Sequence, residues 1–160
     1  MLKLYKFTDG LKSYWETWEH DGVHTVHWGT LGTRGDSKEL RSTFFKKATD
    51  VIQKEIDQRV AEGFGPIETE DHATLLIEFA VDGMGSSTDL DKRHRLQERM
   101  DETLGWTGLG NCDGGSIGSG TMEVCCYVVD FDVAKSATEA DLKDTEFADY
   151  TRIYREDEVG

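Results

Sequence analysis

The chain has 160 residues, a formal net charge of -14 at pH 7 and a hydrophobic content of 37%. This size suits one ordinary domain or two small ones and excludes a large multidomain machine, and the composition is neither collagen-like nor that of a disordered chain. The longest apolar runs, residues 124–129 and 75–80, are far shorter than the roughly 20 residues of a membrane helix, and the sequence opens without a secretory signal pattern. We therefore expect a cytoplasmic protein without a membrane partner.

The negative charge lies in the second part of the chain. Residues 1–66 carry equal numbers of basic and acidic side chains, so the whole excess falls in residues 67–160. Such a surface opposes long-range attraction to phosphate and favours solubility or a basic partner. Between the two parts, residues 63–72 combine glycines, Pro66 and acidic side chains, which is typical of a linker. We place one module at residues 1–66 and a second at residues 73–156.

The first module begins as a small antiparallel sheet. Strand character marks residues 2–7, 13–20, 23–28 and 38–44. The central hairpin turns at Asp21-Gly22, the strongest short hairpin signal in the chain. A two-residue turn there pairs Trp15 with Trp28 on one face of the sheet and Glu16 with His27 on the other.

One helix follows and is expected to pack across this sheet. Its apolar side chains recur at helical spacing, and Gly63 is the expected C-terminal cap. The predicted packed face consists of Phe44, Phe45, Ala48, Val51, Ile52, Ile56 and Val60.

The glycine pattern of this module resembles that of the WGR domain, named for a Trp-Gly-Arg tripeptide. The matching features are Trp28-Gly29, Leu31-Gly32 and Gly35 after an aromatic hairpin, and a helix that ends at Glu62-Gly63-Phe64. The resemblance covers about residues 3–65. It implies a sheet-and-helix binding module, which contacts DNA ends in poly(ADP-ribose) polymerases and also occurs in bacterial proteins. The third letter of the tripeptide is Thr30 in this chain, and Arg34 lies four residues further on.

The expected partner-binding residues of this module combine aromatic and basic side chains. An exposed tryptophan ring can stack on an unpaired base, while arginine and lysine attract phosphate. The candidates are Trp18, Trp28, Thr30, Arg34, Arg41, Lys46 and Lys47. Because the family arginine is replaced, the sequence leaves open whether the partner is a nucleic acid or a protein.

The second module reads as β-α-β-β-α-β, the order of a ferredoxin-like α/β sandwich, in which the glycine-rich residues 105–120 contain a short strand. The other strands are expected at residues 74–82, 121–131 and 147–155, and the helices at 89–104 and 134–142. The first helix has a predicted buried stripe of Leu90, Leu96, Met100 and Leu104. In the second, Ser136 to Glu139 match a capping box, and Asp132 is the alternative cap for an earlier start. The whole chain is therefore predicted to be α+β.

The sequence contains no motif for catalysis, a cofactor or a metal. The hairpin register places His24 on the opposite face from His20 and His27, which argues against a shared metal site. Cys112 is interpreted as a plain loop thiol in the glycine-rich passage, and Cys125 and Cys126 must face opposite sides of a strand. We expect a non-enzymatic protein without a cofactor or metal.

The acid-rich second module supports an alternative function. Clustered carboxylates can imitate a phosphate track and steer a basic partner by electrostatic attraction. The proposed acidic surface consists of Asp141, Asp144, Glu146, Glu156, Asp157 and Glu158, with Glu68, Glu70 and Asp71 as further members. On this hypothesis the protein is an inhibitor, or immunity-type protein, that neutralises a basic toxin or nuclease.

Overall fold

A computed structural model describes residues 1–158, in which the chain forms two four-stranded antiparallel sheets and three α-helices. The α+β prediction is therefore confirmed. The first sheet is a meander of neighbouring strands, β1 (Leu2–Thr8), β2 (Leu11–His20), β3 (Val23–Thr30) and β4 (Asp36–Arg41), followed by α1 (Ala48–Ala61). The second part contains β5 (Ala73–Ala80), α2 (Ser87–Trp106), β6 (Gly110–Gly118), β7 (Thr121–Val128), α3 (Phe131–Leu142) and β8 (Arg152–Arg155).

The central hairpin has the predicted turn and register. Asp21 and Gly22 have φ values of 50° and 76°, the left-handed pair that a type I′ turn requires. Trp15 lies opposite Trp28, and Trp28 packs with the core residues beneath α1. His27 lies opposite Glu16 on the other face.

The start of α1 differs from the prediction. The helix begins at Ala48, and Phe44 and Phe45 lie before it with 96% and 94% of their surface exposed. Residues 42–47 form a turn in which the Thr43 amide donates to the Lys46 carbonyl and the Ala48 amide to Ser42 Oγ. The chain needs this turn to pass from the end of β4 back across the sheet.

The rest of the predicted helix face is partly confirmed. Ala48 and Ile52 are buried, and Ile56 packs against the same core as Ile52. Val60 is exposed, contrary to the prediction. Gly63 follows the helix with a φ of 100°, as expected for a C-terminal cap.

The second sheet has the strand order β6-β7-β5-β8. This is the order of the predicted ferredoxin-like arrangement, and the glycine-rich passage contains the predicted strand as β6. The ladder between β6 and β7 shifts register between Cys112 and Gly115. Helices α2 and α3 contact each other, α2 packs on β6 and β7, and α3 packs on β5 and β8.

Two details of these helices correct the predictions. Leu90 is exposed, whereas Leu96, Met100 and Leu104 are fully buried. Helix α3 begins at Phe131 because Asp130 accepts a hydrogen bond from the Val133 amide at 3.0 Å, so the cap lies before the predicted box at Ser136.

The first module has its own core beneath α1 and also contributes to the core of the second module. Tyr5, Tyr14 and Leu31 of the first module are buried among the core side chains of the second. The first sheet is therefore covered by α1 on one face and by the second module on the other. No helix within residues 1–158 is long and apolar enough to cross a membrane.

Candidate functional site

Only the start of the loop between β3 and β4 faces inward, because Thr33, Arg34 and Gly35 are exposed. Leu31 is buried in the core of the second module, and the Gly32 amide donates to the Thr107 carbonyl at 3.0 Å. A side chain at Gly32 would lie 2.9 Å from Val133 of α3. This loop, residues 31–35, carries the glycines of the predicted binding motif, and in this chain it contacts the second module.

A buried polar group holds this loop in place. Tyr14 Oη donates to the Thr33 carbonyl at 2.8 Å, and His27 Nε2 donates to the Arg34 carbonyl. His27 Nδ1 and Glu16 Oε1 are hydrogen bonded at 2.7 Å. Because a carbonyl only accepts, His27 must carry its proton on Nε2. Each polar atom of the imidazole therefore has a partner although the side chain is almost completely buried.

The tyrosines beside this group stay protonated at neutral pH. Burial, followed by the charge of Glu16, raises the pKa of Tyr5 to about 12. Burial and the charges of Glu16 and Asp36 raise the pKa of Tyr14 still further. Tyr14 is thus a permanent hydrogen-bond donor to the loop, which is a structural role.

Trp18 lies at the junction of the modules. Its ring meets Trp106 of α2 edge to face at 5.9 Å between centroids, and Trp106 also contacts His27 at 5.1 Å. Trp18 is half-buried, so the expectation of a freely exposed ring is wrong. The two indoles cover the buried histidine from one side.

The other predicted partner-binding residues do not form one surface. Trp28 is half-buried on the α1 face of the sheet, opposite to the face that carries Trp18. Thr30 and Arg34 are exposed near the start of β4, whereas Arg41 ends it. Six residues of strand span about 20 Å, so Arg34 and Arg41 lie at opposite ends of the sheet.

Lys46 and Lys47 lie instead beside the exposed phenylalanines. We call residues 42–47 the phenylalanine loop. The rings of Phe44 and Phe45 meet edge to face at 5.1 Å. Between this loop and α1 lies an open groove of about 500 Å³, here called the loop groove. It is lined by Phe44, Phe45, Lys46, Lys47, Asp50, Val51, Lys54, Glu55 and Gln58.

The charge of the loop groove is mainly positive. Glu55 is paired with Lys38, which leaves Asp50 as the other acid in the lining. Among residues 1–158, no ion pair engages Lys46, Lys47 or Lys54. The groove therefore offers apolar rings and unpaired cations side by side.

The sequence contained a weak signal for this site. Phe44 is four residues before Ala48 and so continues the helical apolar period, which is why periodicity placed it in the core. Ser42 and Thr43 are residues that favour turns and caps over strand or helix interiors. Their position directly after β4 was the available indication that the chain turns before the helix begins.

Two residues of the predicted acidic surface are paired with basic side chains of α2. Arg99 binds Asp141 at 2.9 Å and Arg95 binds Glu146 at 2.7 Å. Lys92 adds a third pair with Asp149 at 2.8 Å. Asp144 is exposed. Because Asp141 and Glu146 are held in ion pairs with α2, these three carboxylates do not form a free anionic surface.

Glu156 and Asp157 lie on a different part of the surface. With Glu70 and Asp71 they line an open groove of about 420 Å³, here called the acidic groove. Its cation, Arg155, pairs with Asp157 at 3.1 Å. The side chain of Glu158, also predicted here, lies outside the described residues.

Within residues 1–158, no group of three His, Cys, Asp or Glu side chains is placed to hold a metal ion. Comparison of the chain with protein-family models, with curated proteins and with solved structures finds no match.

Proposed function

We propose that this protein is a non-catalytic recognition protein that binds an acidic segment of another protein through the phenylalanine loop. The observation that carries the proposal is the nearly complete exposure of two adjacent phenylalanines. Isolated exposed apolar residues are ordinary, but a contiguous aromatic pair beside a groove is typical of an interaction site.

The energetics support a binding role. Burying one phenylalanine side chain contributes about 1.5–3 kcal/mol, so covering both rings contributes up to about 6 kcal/mol. In the isolated chain this energy is not used, because neither ring contacts the core. A partner that covers both phenylalanine rings gains this free energy on binding.

The lysines indicate the chemistry of the partner. Lys46, Lys47 and Lys54 are close to the rings and can pair with carboxylates at the rim of an interface. A protein segment with aspartates or glutamates around a leucine or aromatic side chain can pair with the lysines and pack on the phenylalanine rings. Single-stranded nucleic acid has the required charge but must approach a chain of net charge -14.

The resemblance to the WGR domain fits this proposal in part. A four-stranded meander crossed by one helix supports the expected sheet-and-helix binding module. The loop that follows Thr30 contacts the second module through Leu31 and Gly32, which favours a contact surface elsewhere on the first module. The phenylalanine loop lies at the opposite end of β4.

A capture experiment tests the proposal. Wild-type protein, F44S/F45S and M84S are immobilised and exposed to a nuclease-treated lysate of the source organism. Met84 is a matched control because it is 73% exposed and lies in the second module. We expect one protein to be retained in stoichiometric amount by the wild type and M84S and lost with F44S/F45S.

The captured protein is then purified and titrated against the same variants and K46E/K47E. The proposal requires direct binding that F44S/F45S weakens at least about 100-fold and K46E/K47E about 10-fold. Retention that is equal for all variants overturns it. Binding of labelled single-stranded DNA that F44S/F45S abolishes identifies a nucleic-acid site instead.

A second candidate function has one specific observation in its favour. The acidic groove brings Glu70 and Asp71 together with Glu156 and Asp157, so part of the predicted anionic surface exists. An inhibitor of a basic protein would use this groove. Binding that E156K/D157K abolishes and D144K leaves unchanged would support this candidate, and the reverse pattern would exclude it.

A further inference from the structure

Two of the three cysteines meet inside the second module. Cys112 of β6 and Cys126 of β7 are direct cross-strand partners, and their Sγ atoms are 2.9 Å apart. Cys112 is only 6% exposed, so the interpretation as a plain loop thiol is wrong. Both thiols are free. Cys125, next in the chain, faces the other side of the sheet.

The ladder geometry allows a bond between these two sulfurs. The Val129 amide donates to the Leu109 carbonyl at 2.9 Å, which makes Leu109 and Val129 a hydrogen-bonded pair. Paired positions alternate along an antiparallel ladder, so Cys112 and Cys126, three steps further, form a non-hydrogen-bonded pair. The Cα atoms of such pairs are about 4.5 Å apart, which lies inside the range that disulfides span.

The surroundings of Cys112 provide access to this buried pair. Strand β6 is at the edge of its sheet, and its register shift begins directly after Cys112. The Cys112 amide donates to Asp101 Oδ1 of α2 at 3.0 Å, so this amide does not take part in the hydrogen bonds between β6 and β7. Cys112 lies on this edge strand and is 6% exposed, whereas Cys126 lies on the inner strand β7 and is fully buried. Cys112 is therefore the sulfur that an external reagent reaches first.

We propose that Cys112 and Cys126 form a reversible disulfide by exchange with a small disulfide such as oxidised glutathione. The Cys112 thiolate attacks one sulfur of the reagent, forms a mixed disulfide and displaces one small thiol. Cys126 loses its proton and attacks Cys112 Sγ, which forms the internal bond and displaces the second small thiol. The two cysteines lose two electrons and two protons, and the reagent takes up both.

The environment of Cys126 makes this second step depend on the first. The hydrogen bond with Cys112, followed by burial, raises the pKa of the Cys126 thiol. It therefore stays protonated and unreactive until Cys112 has been modified. The resulting bond ties the edge strand β6 to β7 immediately before the register shift, so oxidation rigidifies this edge.

The full-length protein is equilibrated in native buffer with mixtures of reduced and oxidised glutathione, alkylated with iodoacetamide and analysed by intact mass and peptide mapping. We expect the loss of two hydrogen atoms, a Cys112–Cys126 cross-linked peptide and an alkylated Cys125. The C125S variant should behave like the wild type, whereas C112S and C126S should each abolish the cross-link. A reductant should restore the free thiols.

Three results would overturn the proposal. One is an unchanged mass in excess oxidised glutathione, and another is a stable glutathione adduct without an internal bond. The third is a cross-link that includes Cys125. Circular dichroism of each variant before oxidation establishes that it is folded. Because C112S and C126S each remove one of the two thiols, agreement between them guards against a folding defect in either.

Discussion

At the scale of single residues, the buried contact between Glu16 and His27 is the most demanding feature of the first module. Both side chains are almost completely buried. They are tolerated because both ring nitrogens of His27 are hydrogen bonded and Glu16 also lies 3.9 Å from Lys3 Nζ. The pairing of these residues follows from the hairpin turn and was predictable. Their burial was not, because the sequence does not reveal that a second module covers this face.

The variant His27→Ala should strongly destabilise the protein. It leaves the buried Glu16 carboxylate with only the longer ion pair to Lys3, at 3.9 Å, and it removes the hydrogen bond to the Arg34 carbonyl. Removal of one member of a buried pair costs about 3–5 kcal/mol. Urea unfolding followed by circular dichroism measures the loss. The exposed His20→Ala should change stability by less than about 0.5 kcal/mol. Equal effects of the two variants would contradict the assigned role.

Acid should weaken the contact between Lys12 and Asp130, which joins the two modules. Burial opposes ionisation of Asp130, but hydrogen bonds from Lys12 and the Val133 amide outweigh it and hold the pKa below its usual value of 3.8. Because the pKa is lowered on folding, this contribution to stability is complete above the usual pKa and is lost as the pH falls through the lower, folded value.

Thermal unfolding across the acid range tests this prediction. The wild type should lose stability below about pH 4, and the D130N variant should lose less over the same range because it has no carboxylate to titrate. The variant D144N is the control, since Asp144 is exposed and is not part of this contact. A D130N profile parallel to that of the wild type would exclude Asp130 as the titrating group.

At the scale of elements, strands were easier to predict than the point where a strand passes into a helix. The register of β2 and β3 followed from one turn, because a two-residue loop leaves no freedom in pairing. The end of β4 and the start of α1 depend instead on tertiary packing. The helix must cross the sheet at a place that is set by the sheet and not by the helix sequence. For this reason Ala48, and not Phe44, is the first buried position.

The F44S/F45S variant should therefore fold with nearly wild-type stability. Neither ring contacts the core, so the free energy of unfolding should change by less than about 0.5 kcal/mol per substitution. By contrast, Ile52→Ala removes a buried side chain of α1 and should cost about 2–5 kcal/mol. Urea titrations compare the three proteins. A large loss in F44S/F45S would mean that the rings belong to the core after all.

The candidate site was predictable only in fragments. Lys46 and Lys47 were among the predicted partner-binding residues, and both line the loop groove. Trp18 was grouped with them as an aromatic side chain, and Trp28 and Arg34 through the tripeptide of the resembled domain. The structure separates the three by face and by end of the sheet. Residue type indicates what a side chain can bind, but the fold decides which side chains are neighbours.

At the scale of the whole molecule, the two modules behave as one packed unit. Tyr14 of the first sheet lies directly against Gly108, where an added Cβ atom would approach the ring to 2.3 Å, and Gly108 has a φ of 70°. This contact requires glycine both for space and for backbone conformation. Composition and charge were the basis for placing a boundary at residues 63–72. The contacts across it depend on tertiary packing that no local pattern indicates.

The variant Gly108→Ala should disrupt this interface. We expect a lower unfolding temperature and weaker near-ultraviolet circular dichroism from the Trp18 and Trp106 pair. Gly105→Ala is the matched control, because an added Cβ atom there meets nothing within 4 Å. If Gly108→Ala matched Gly105→Ala in both measurements, the packing of the modules described above would be wrong.

The central claim is that Leu31 and Gly32 hold the start of the motif loop against the second module and that the phenylalanine loop is presented to a partner. Site-specific photo-cross-linking in cells tests it most directly, with benzoylphenylalanine placed singly at Phe45, Arg34 or Asp157. We predict a cross-link to one protein from position 45 and none from the other two. A cross-link from position 34 would indicate the motif loop, and one from position 157 the acidic groove. Either result, without a cross-link from position 45, would contradict the account.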